Sequence, residues 1–383
     1  MTTTAADAVR RRGRLSGPVR RGPGRRGTGP GRVNLIGEHT DYNDGFVFPM
    51  ALPFATAIAA GPGDDETVEI TSEVRHLALR SDRRPDDHGR LGSLRARDAR
   101  GGRPPRPDPG GWRGTIATDI PVGASLSSSA ALEVATGLVI GALTGATMSP
   151  IDLARAGRQV EHRYFDLRGG LLDQLASTLP TAGAAVLIDC RDLSWRSVAL
   201  PVDAAVVVMD TGTRRVLAES AYADRQAACA AAADALGLAA LRDATFDDLG
   251  RLPQDLQRRA LHVVSENART LEAADAAERG DAAGLGRAMS ASHRSLRDDY
   301  EVSGPALDEI VRVALDRPES FGARMTGGGF AGCAVALVRA DAADACLCRG
   351  SLGVPTAGMA QPAEAPLELW PVAPSQGAAV VTA

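Results

Sequence analysis

The sequence predicts an α+β protein, and three observations support this fold class. Short apolar stretches typical of strands alternate with stretches of helical periodicity over most of the 383 residues. Hydrophobic residues make up 44% of the chain, which is enough to fill buried cores. No apolar run reaches the roughly 18 residues of a membrane span, so we expect no membrane partner. A chain of this length forms two domains or one large domain.

The alternation defines individual elements along the chain. The predicted strands are Phe46–Ala60, Thr67–Ser72, Gly114–Asp119, Ala184–Asp189, Ala204–Met209 and Cys333–Val338. The predicted helices are Ser127–Thr144, Ile151–Phe165, Val216–Leu236, Asp281–Arg297 and Pro305–Leu315. Two segments rich in Arg, Gly and Pro interrupt the alternation. Residues 1–26 are predicted to be a disordered extension, and residues 75–113 a solvated, atypical loop.

Charge and cysteine content limit the partners and the compartment. The net charge of −4 argues against nucleic acid as the main partner. The N-terminus lacks the apolar stretch of a secretory signal. The five cysteines are odd in number and have no C-x-x-C spacing, which favours neither a disulfide framework nor a zinc site. A reducing, cytoplasmic location is therefore predicted.

The basic residues other than histidine are 43 arginines, and the chain has no lysine. A Walker A loop and a protein kinase each need a lysine on the phosphates, and a Schiff-base enzyme needs an amine. These three classes are excluded. A nucleotide bound by this chain must be held by backbone N–H groups and arginine.

The stretch GRVNLIGEHTDYNDGF, residues 31–46, crowds hydrogen-bonding groups into one turn. Glu38, His39 and Asp41 follow directly on an apolar strand at residues 33–36. A surface turn uses Asn, Asp and Gly for backbone reasons and has little use for Glu and His. The pattern indicates a polar cluster presented on a rigid edge.

A second informative stretch is PVGASLSSSAALEVATGLVIGALTG, residues 121–145. Its small residues leave N–H groups free at the start of an apolar helix, and this geometry binds anions. Ser127, Ser128 and Ser129 add hydroxyls that can reach phosphate oxygens or a magnesium ion. The alternative is a serine-capped helix that enters a core.

Two further stretches are informative only in combination with the others. In GARMTGGGFAGCAVALV, residues 322–338, glycines precede a strand, which is the wrong order for a dinucleotide fold. In GGLLDQLAS, residues 169–177, Asp173 lies among Gly, Leu and Ala. It is either an ordinary aspartate at a helix start or a positioned general base.

Together these stretches resemble the galactokinase family of the GHMP small-molecule kinases. GRVNLIGEHTDYN is similar to the galactokinase signature, PVGASLSSSAALE to the GHMP phosphate loop, and GARMTGGGFAGC to the third GHMP glycine motif. GLLDQLAS, TRRVLAESAYADRQAAC and SHRSLRDDYEVSGPALD fit galactokinases specifically. The resemblance implies a two-domain GHMP kinase fold with the active site in the cleft between the domains, here residues 27–195 and 196–383.

The resemblance also implies an activity, the ATP-dependent phosphorylation of D-galactose at C1 to give galactose 1-phosphate and ADP. Glu38, His39 and Asp41 would bind the sugar hydroxyls, with Tyr222 joining from the second domain. Hydrogen bonds to charged partners contribute roughly 1.5–3 kcal/mol each. Asp41 is expected to bind the C3 and C4 hydroxyls, and the C4 hydroxyl is the one that separates galactose from glucose.

The implied catalytic residues are Asp173, which would take the proton from the C1 hydroxyl, and Arg32, which would offset negative charge in the transition state. Ser129 and Glu161 would hold Mg²⁺, although Glu161 also fits an ordinary exposed helix glutamate. The residues expected to bind ATP are Pro121, Gly123, Ala124, Ser125, Leu126, Ser127, Ser128, Ser129 and Ala130.

Two departures from the family pattern bear most on the site and the fold. Ser125 replaces a glycine of the phosphate loop, where a positive φ would be costly for serine. The two Arg/Gly/Pro-rich segments stand where the family has amphipathic helices. A non-catalytic sensor of galactose and ATP, or a related sugar 1-kinase, are the alternative functions. The intact Ser127–Ala131 segment, with Arg32 and Asp173, favours an enzyme, and we expect it to be a monomer.

Overall fold

The computed structural model describes residues 24–63, 67–72, 77–81, 110–121, 123–164, 169–214, 218–343 and 367–381. These residues form thirteen strands in three sheets and seven α-helices. No helix in this described part of the chain is both long and apolar enough to cross a bilayer.

The largest sheet has six strands and carries the start of the polar turn. In order across the sheet, its strands are β13 (Ala379–Val381), β1 (Arg25–Asn34), β3 (Pro49–Pro62), β6 (Trp112–Thr118), β4 (Val68–Ser72) and β5 (Leu77–Ser81). Only β4 and β6 pair in parallel among the neighbouring strands of this sheet. The long β1–β3 pairing fixes the end of β1, from which the polar turn emerges.

Two smaller antiparallel sheets complete the β structure. The three-stranded sheet contains β2 (Phe46–Val47), β7 (Ala184–Asp189) and β8 (Trp195–Ala199). The four-stranded sheet runs in the order β10 (Ser320–Met325), β11 (Cys333–Arg339), β9 (Ala204–Asp210) and β12 (Glu368–Val372). The predicted strand Phe46–Ala60 is wrong in one respect, because it is divided at Phe48 between two different sheets.

The helices pack on these sheets and bury their apolar faces in shared cores. They are α1 (Ser128–Thr144), α2 (Pro150–Tyr164), α3 (Leu172–Thr178), α4 (Ala218–Leu236), α5 (Gln254–Glu278), α6 (Ala282–Asp298) and α7 (Pro305–Leu315). One core joins the β1 and β3 side chains to those of α5, α6 and β11. The polar turn is therefore mounted where the N-terminal sheet meets the C-terminal helices.

The predicted disordered extension at residues 1–26 is wrong at its C-terminal end. Arg25 and Arg26 belong to β1 and pair with Ala60 and Ala59 of β3. Backbone hydrogen bonds and close packing hold this segment despite its few apolar side chains. A Cβ on Gly29 would lie 2.2 Å from the carbonyl oxygen of Ala131 in α1, so this strand needs a glycine there. Residues 1–23 lie outside the described residues.

The predicted loop at residues 75–113 is wrong at both ends. Residues 77–81 form the edge strand β5, and β6 begins at Trp112, whose indole is buried. Residues 82–109 lie outside the described residues. β5 is a strand because its backbone pairs with β4. Amino-acid composition does not predict such pairing.

The predicted division between residues 195 and 196 also differs from the structure. It falls inside β8, which pairs along its whole length with β7. In addition, the end of the chain returns to the N-terminal sheet, since β13 pairs with Arg26, Gly27 and Thr28 of β1. The second predicted domain therefore contributes a strand to the first.

Candidate active site

The polar turn after β1 is held in shape by its own side chains. Gly37 and His39 have positive φ angles of 93° and 63°. Thr40 Oγ1 donates to the carbonyl oxygens of Gly37 at 2.9 Å and of Phe46 at 2.7 Å. Asn43 Nδ2 donates to the carbonyl oxygen of His39 at 2.9 Å. A left-handed histidine is unfavourable in isolation, and these bonds stabilise the conformation that orients its ring.

Helix α5 fixes the same turn from behind. His262 Nε2 lies 3.1 Å from the carbonyl oxygen of Glu38, and Asn267 Oδ1 accepts from the N–H of Phe46 at 2.9 Å. Glu266 Oε1 accepts from the N–H of Gly37 at 3.0 Å. Burial acts to raise the pKa of Glu266, but the opposing effect of Arg269 and other positive neighbours lowers this pKa to about 2. The turn is thus anchored to a carboxylate that stays charged at neutral pH.

Helix α5 was not among the predicted elements, although the sequence contains a signal for it. His262, Glu266 and Thr270 follow one another at intervals of four residues and are fully buried. Polar residues at this spacing form a stripe along one helix face. A buried polar stripe indicates that the helix faces another polar element, here the turn.

Glu38 connects the turn to the glycine-rich loop between β10 and β11. Its side chain is 4% exposed, and Oε1 accepts from the N–H of Gly327 at 2.6 Å. The same oxygen lies 3.7 Å from Nη1 of the fully buried Arg324. Burial raises the pKa of Glu38, while Arg324 and Arg32 act in the opposite direction. The residue that was predicted to bind sugar is therefore also held by the second half of the chain.

His39 lies in a cluster of tyrosines that includes the predicted Tyr222. The ring centroids of His39 and Tyr222 are 5.4 Å apart, so α4 does bring its tyrosine to the turn. His39 Nδ1 is 2.8 Å from the hydroxyl of Tyr42, which is 2.7 Å from the hydroxyl of Tyr300. Sequence spacing did not predict the roles of Tyr42 and Tyr300, because Tyr300 lies far along the chain.

Asp41 stands beside the start of α3. The backbone N–H of Leu172 donates to Asp41 Oδ2 at 3.5 Å. A Cβ on Gly170 would lie 2.0 Å from the same oxygen, so only glycine admits this carboxylate. Burial and the negative charges of Asp173 and Glu38 raise the pKa of Asp41 to about 7. These carboxylates therefore lie close enough to influence one another.

Asp173 and Arg32 form an ion pair between the turn and the phosphate loop. Arg32 Nε donates to Asp173 Oδ1 at 2.8 Å, and Nη2 lies 2.7 Å from that oxygen. Arg32 Nη1 donates to the carbonyl oxygen of Ser125 at 2.8 Å. The arginine side chain is 5% exposed and the aspartate side chain 34% exposed. The carboxylate is thus held in place while part of it remains open to solvent.

Three described residues of the predicted phosphate loop have positive φ. Gly123, Ser125 and Ser127 have φ angles of 73°, 63° and 58°. Ser125 adopts the conformation that is costly for serine. A Cβ on Gly332 would lie 2.4 Å from Ser125 Oγ, so the third glycine motif makes room for this side chain. Alternating backbone conformations of this kind direct N–H groups toward an anion.

Ser127 does not cap α1, so the capped-helix alternative is wrong for this residue. Its side chain makes no capping hydrogen bond. Its buried hydroxyl has no hydrogen-bond partner within the described residues. An orphaned hydroxyl at the N-terminus of a 17-residue helix fits a site for phosphate oxygens.

Ser129 and Glu161, the predicted magnesium residues, are brought together. Ser129 Oγ donates to Glu161 Oε1 at 3.2 Å. Gln174 Nε2 donates to Glu161 Oε2 at 3.0 Å and to Glu133 Oε2 at 3.1 Å. Burial and the charge of Glu161 raise the pKa of Glu133 to about 8. Glu161 is therefore part of a polar cluster, not an isolated surface glutamate.

This cluster of oxygen donors suits a hard cation such as Mg²⁺. Among the described residues, no group of three or more His, Cys, Asp and Glu side chains could hold a metal ion. Glu133 and Gln174 were missed by the sequence analysis. The available signals were that Glu133 is four residues after Ser129 on one helix face and that Gln174 adjoins Asp173.

Known protein families match the same parts of the chain. The galactokinase galactose-binding signature matches residues 21–62, the GHMP kinases N terminal domain matches residues 95–180, and the GHMP kinases C terminal domain matches residues 273–350. The chain is 47% identical over 344 residues to the galactokinase of Chloroflexus aurantiacus, covering 84% of this chain and 86% of that one. It is 45% identical over 342 residues to the galactokinase of Chloroflexus aggregans, with the same coverage.

Solved structures agree with these matches. The crystal structure of Lactococcus lactis galactokinase complexed with galactose superimposes with a TM-score of 0.81 at 30% identity, covering 93% of this chain and 95% of that one. Methanococcus jannaschii mevalonate kinase, at 15% identity and a TM-score of 0.59, covers 92% of this chain and 99% of its own, and shows the fold alone. The chain belongs to the galactokinase family of the GHMP kinases.

Proposed function

We propose that this chain transfers the γ-phosphoryl group of ATP to the C1 hydroxyl of D-galactose, giving galactose 1-phosphate and ADP. The observation that carries the proposal is the Arg32–Asp173 ion pair, which touches the phosphate loop through the carbonyl oxygen of Ser125 and adjoins the turn that carries Asp41. A sugar hydroxyl bound at the turn and a terminal phosphate bound at the loop would meet at this ion pair. Family membership supports both substrates.

Sugar recognition is assigned to Glu38, His39, Asp41 and Tyr222. Glu38, His39 and Asp41 lie in one turn, and Tyr222 contacts His39 from the second half of the chain. Backbone N–H groups of Gly327 and Leu172 hold the carboxylates of Glu38 and Asp41. A monosaccharide carries no charge and many hydroxyls, so carboxylate acceptors hold it well. Fixed acceptors reject a sugar whose hydroxyl points elsewhere, and we assign the C3 and C4 hydroxyls to Asp41.

Catalysis is assigned to Asp173 and Arg32. Asp173 accepts the proton of the C1 hydroxyl while that oxygen attacks the γ-phosphorus, and the bond to the β-phosphate oxygen breaks to release ADP. The Arg32 guanidinium orients Asp173 through two contacts and offsets the negative charge that spreads over the transferring group.

ATP phosphates are assigned to the loop Pro121, Gly123, Ala124, Ser125, Leu126, Ser127, Ser128, Ser129 and Ala130. Mg²⁺ held by Ser129 and Glu161 would neutralise phosphate charge when bound. Gln174 orients Glu161 through the hydrogen bond from its Nε2 to Glu161 Oε2. Cys190, Cys229 and Cys333 form no disulfide within the part of the chain that the structure describes. The proposed location is the reducing cytoplasm, and the proposed oligomeric state is a monomer.

The test is the identity of the product. Purified protein incubated with MgATP and D-galactose is expected to give a phosphate ester whose ³¹P signal couples to the proton on C1. A ³¹P signal coupled to the C6 protons would overturn the regiochemistry. ADP release without any sugar ester would overturn the proposed function.

A further inference from the structure

A groove between α5 and α6 lies outside the proposed active site. Its volume is about 470 Å³, and four arginines line it: Arg269 and Arg279 from the α5 side, Arg287 and Arg294 from α6. Three alanines and a glycine make up much of the remaining lining. Cavities of this size take small molecules. Small residues between arginines leave room for a compact ligand within reach of several guanidinium groups.

The charge in this groove is positive although the whole chain is net negative at −4. Glu272 and Asp281 are its two acidic residues. Asp281 caps α6 by accepting from the N–H of Gly284 at 2.7 Å and lies 3.8 Å from Arg287. Within the described residues, the guanidinium groups of Arg279 and Arg294 make no hydrogen bond or ion pair. The positive charge of the groove is therefore only partly balanced by its neighbours.

Arg269 is the least exposed of the four groove arginines, with 17% of its side chain exposed to solvent. Its Nε donates to Glu266 Oε2 at 2.9 Å. Its Nη2 is buried and has no hydrogen-bond partner within the described residues. A buried donor left unpaired is unfavourable. The exposed part of the Arg269 side chain lines the groove, within reach of an anionic ligand. The planar guanidinium suits phosphate oxygens in particular.

We propose that this groove binds the phosphate group of a small anion, either inorganic phosphate or a phosphate monoester, and that its occupation weakens galactose binding. The groove holds the ligand through Arg269 at its buried side and through Arg287 and Arg294 at its exposed side. Both ligands present the same doubly charged group, so the site recognises that group and tolerates a small substituent.

The groove is connected to the sugar site through one carboxylate. Glu266 pairs with Arg269 through Oε2, and its Oε1 accepts from the N–H of Gly37 and, at 2.6 Å, from Ser292 Oγ. Gly37 immediately precedes Glu38 in the polar turn. An anion that binds Arg269 competes with Glu266 for this guanidinium. The Arg269–Glu266 ion pair is weakened, and with it the hydrogen bond by which Glu266 holds the turn. This coupling rests on the proposed function, whereas the binding site does not.

Equilibrium dialysis tests the site directly. Radiolabelled inorganic phosphate and, separately, glycerol 3-phosphate are the probes, with saturating galactose and a magnesium complex of a non-hydrolysable ATP analogue present to occupy the catalytic cleft. The double variant Arg287→Ala/Arg294→Ala is expected to bind both probes at least about tenfold more weakly than the unmodified chain. The control Arg312→Ala, an exposed arginine on α7, is expected to bind normally. Equal binding by the double variant, or no saturable binding by the unmodified chain, overturns the proposal.

Steady-state kinetics test the coupling. Glycerol 3-phosphate at saturation is expected to raise the KM for galactose about fivefold, a common size of coupling between sites, and to leave kcat unchanged. The double variant should show no such change. An equal rise in KM in the double variant would place the effect in the catalytic cleft and overturn the coupling. If galactose is not turned over at all, the proposed function fails, while the dialysis result still decides the groove.

Discussion

Asp173 is the side chain on which the proposed chemistry depends, and its contacts allow a clean substitution. In Asp173→Asn the amide oxygen can still accept from Arg32 Nε, so the local geometry is kept. The amide cannot take a proton, and general-base catalysis typically contributes about 10²–10⁴-fold. We expect kcat to fall within that range while galactose binding stays measurable by calorimetry. The control Asp203→Asn, at an exposed position, should be fully active.

A rate above about one tenth of normal in Asp173→Asn would contradict the assignment. The loss of rate would then be smaller than the usual contribution of a general base. Charge stabilisation by Arg32 would then carry the step, and the C1 proton would leave to solvent.

We expect Asp41 to make galactose binding sensitive to pH. Its pKa in the sugar-free protein is about 7, because burial and the charges of Asp173 and Glu38 disfavour the carboxylate. Below that pH the carboxyl group holds a proton and loses part of its capacity to accept from sugar hydroxyls. Calorimetry without nucleotide should show the Kd for galactose rising by up to about tenfold per pH unit below pH 7, and levelling above it.

The same experiment on Asp173→Asn provides the control for this titration. Removing one of the two repelling charges lowers the pKa of Asp41, so the midpoint of the profile should move to lower pH. A galactose Kd that does not change between about pH 5.5 and 8 would contradict the pKa of Asp41 and its role as an acceptor.

At the scale of elements, the turn before α3 places Asp41 and Asp173 side by side. A Cβ on Gly170 would lie 2.0 Å from Asp41 Oδ2, whereas a Cβ on Gly169 would meet nothing within 4 Å. Gly170→Ala should therefore displace Asp41 and raise the KM for galactose, and displacements near 1 Å can cost about 10²-fold. Gly169→Ala is the matched control and should behave like the unmodified chain. Equal KM values for both variants would show that Asp41 does not contact the sugar.

Elements with strong local signals were predictable from the sequence. Helix α7 spans the predicted residues 305–315 because Pro305 stands at its first turn and its apolar residues follow helical periodicity. Strand β1 could not be predicted over residues 25–30. Its stability comes from pairing with β3 and β13 and from the close approach of Gly29 to α1, which are contacts between distant parts of the chain.

The candidate site shows the same division. The polar turn and the serine loop were predictable because each lies within one short stretch and has an unusual composition. The contacts that hold them were not. Glu38 binds the N–H of Gly327, and Tyr42 bonds to Tyr300, so residues separated by more than 250 positions meet at the site. Only the fold brings such pairs together.

At the scale of the whole molecule, the two halves of the chain are interlocked at the site. Helix α5 and the loop between β10 and β11 hold the polar turn of the N-terminal half. Strand β13, from the C-terminal half of the sequence, pairs with β1 of the N-terminal sheet. The proposed sugar-binding surface is therefore built by tertiary contacts, which hold its proposed acceptors in place. Fixed acceptors discriminate between sugars that differ in one hydroxyl.

The most direct test of the account is the ratio of kcat/KM for D-galactose to that for D-glucose, measured by ADP release with MgATP. The two sugars differ only at the C4 hydroxyl, which we assign to Asp41. The account predicts that glucose is used at least about a hundredfold less efficiently, the discrimination expected when a site hydrogen-bonds a specific hydroxyl. In Asp41→Ala the ratio should fall toward one. Equal use of the two sugars by the unmodified chain would contradict the account.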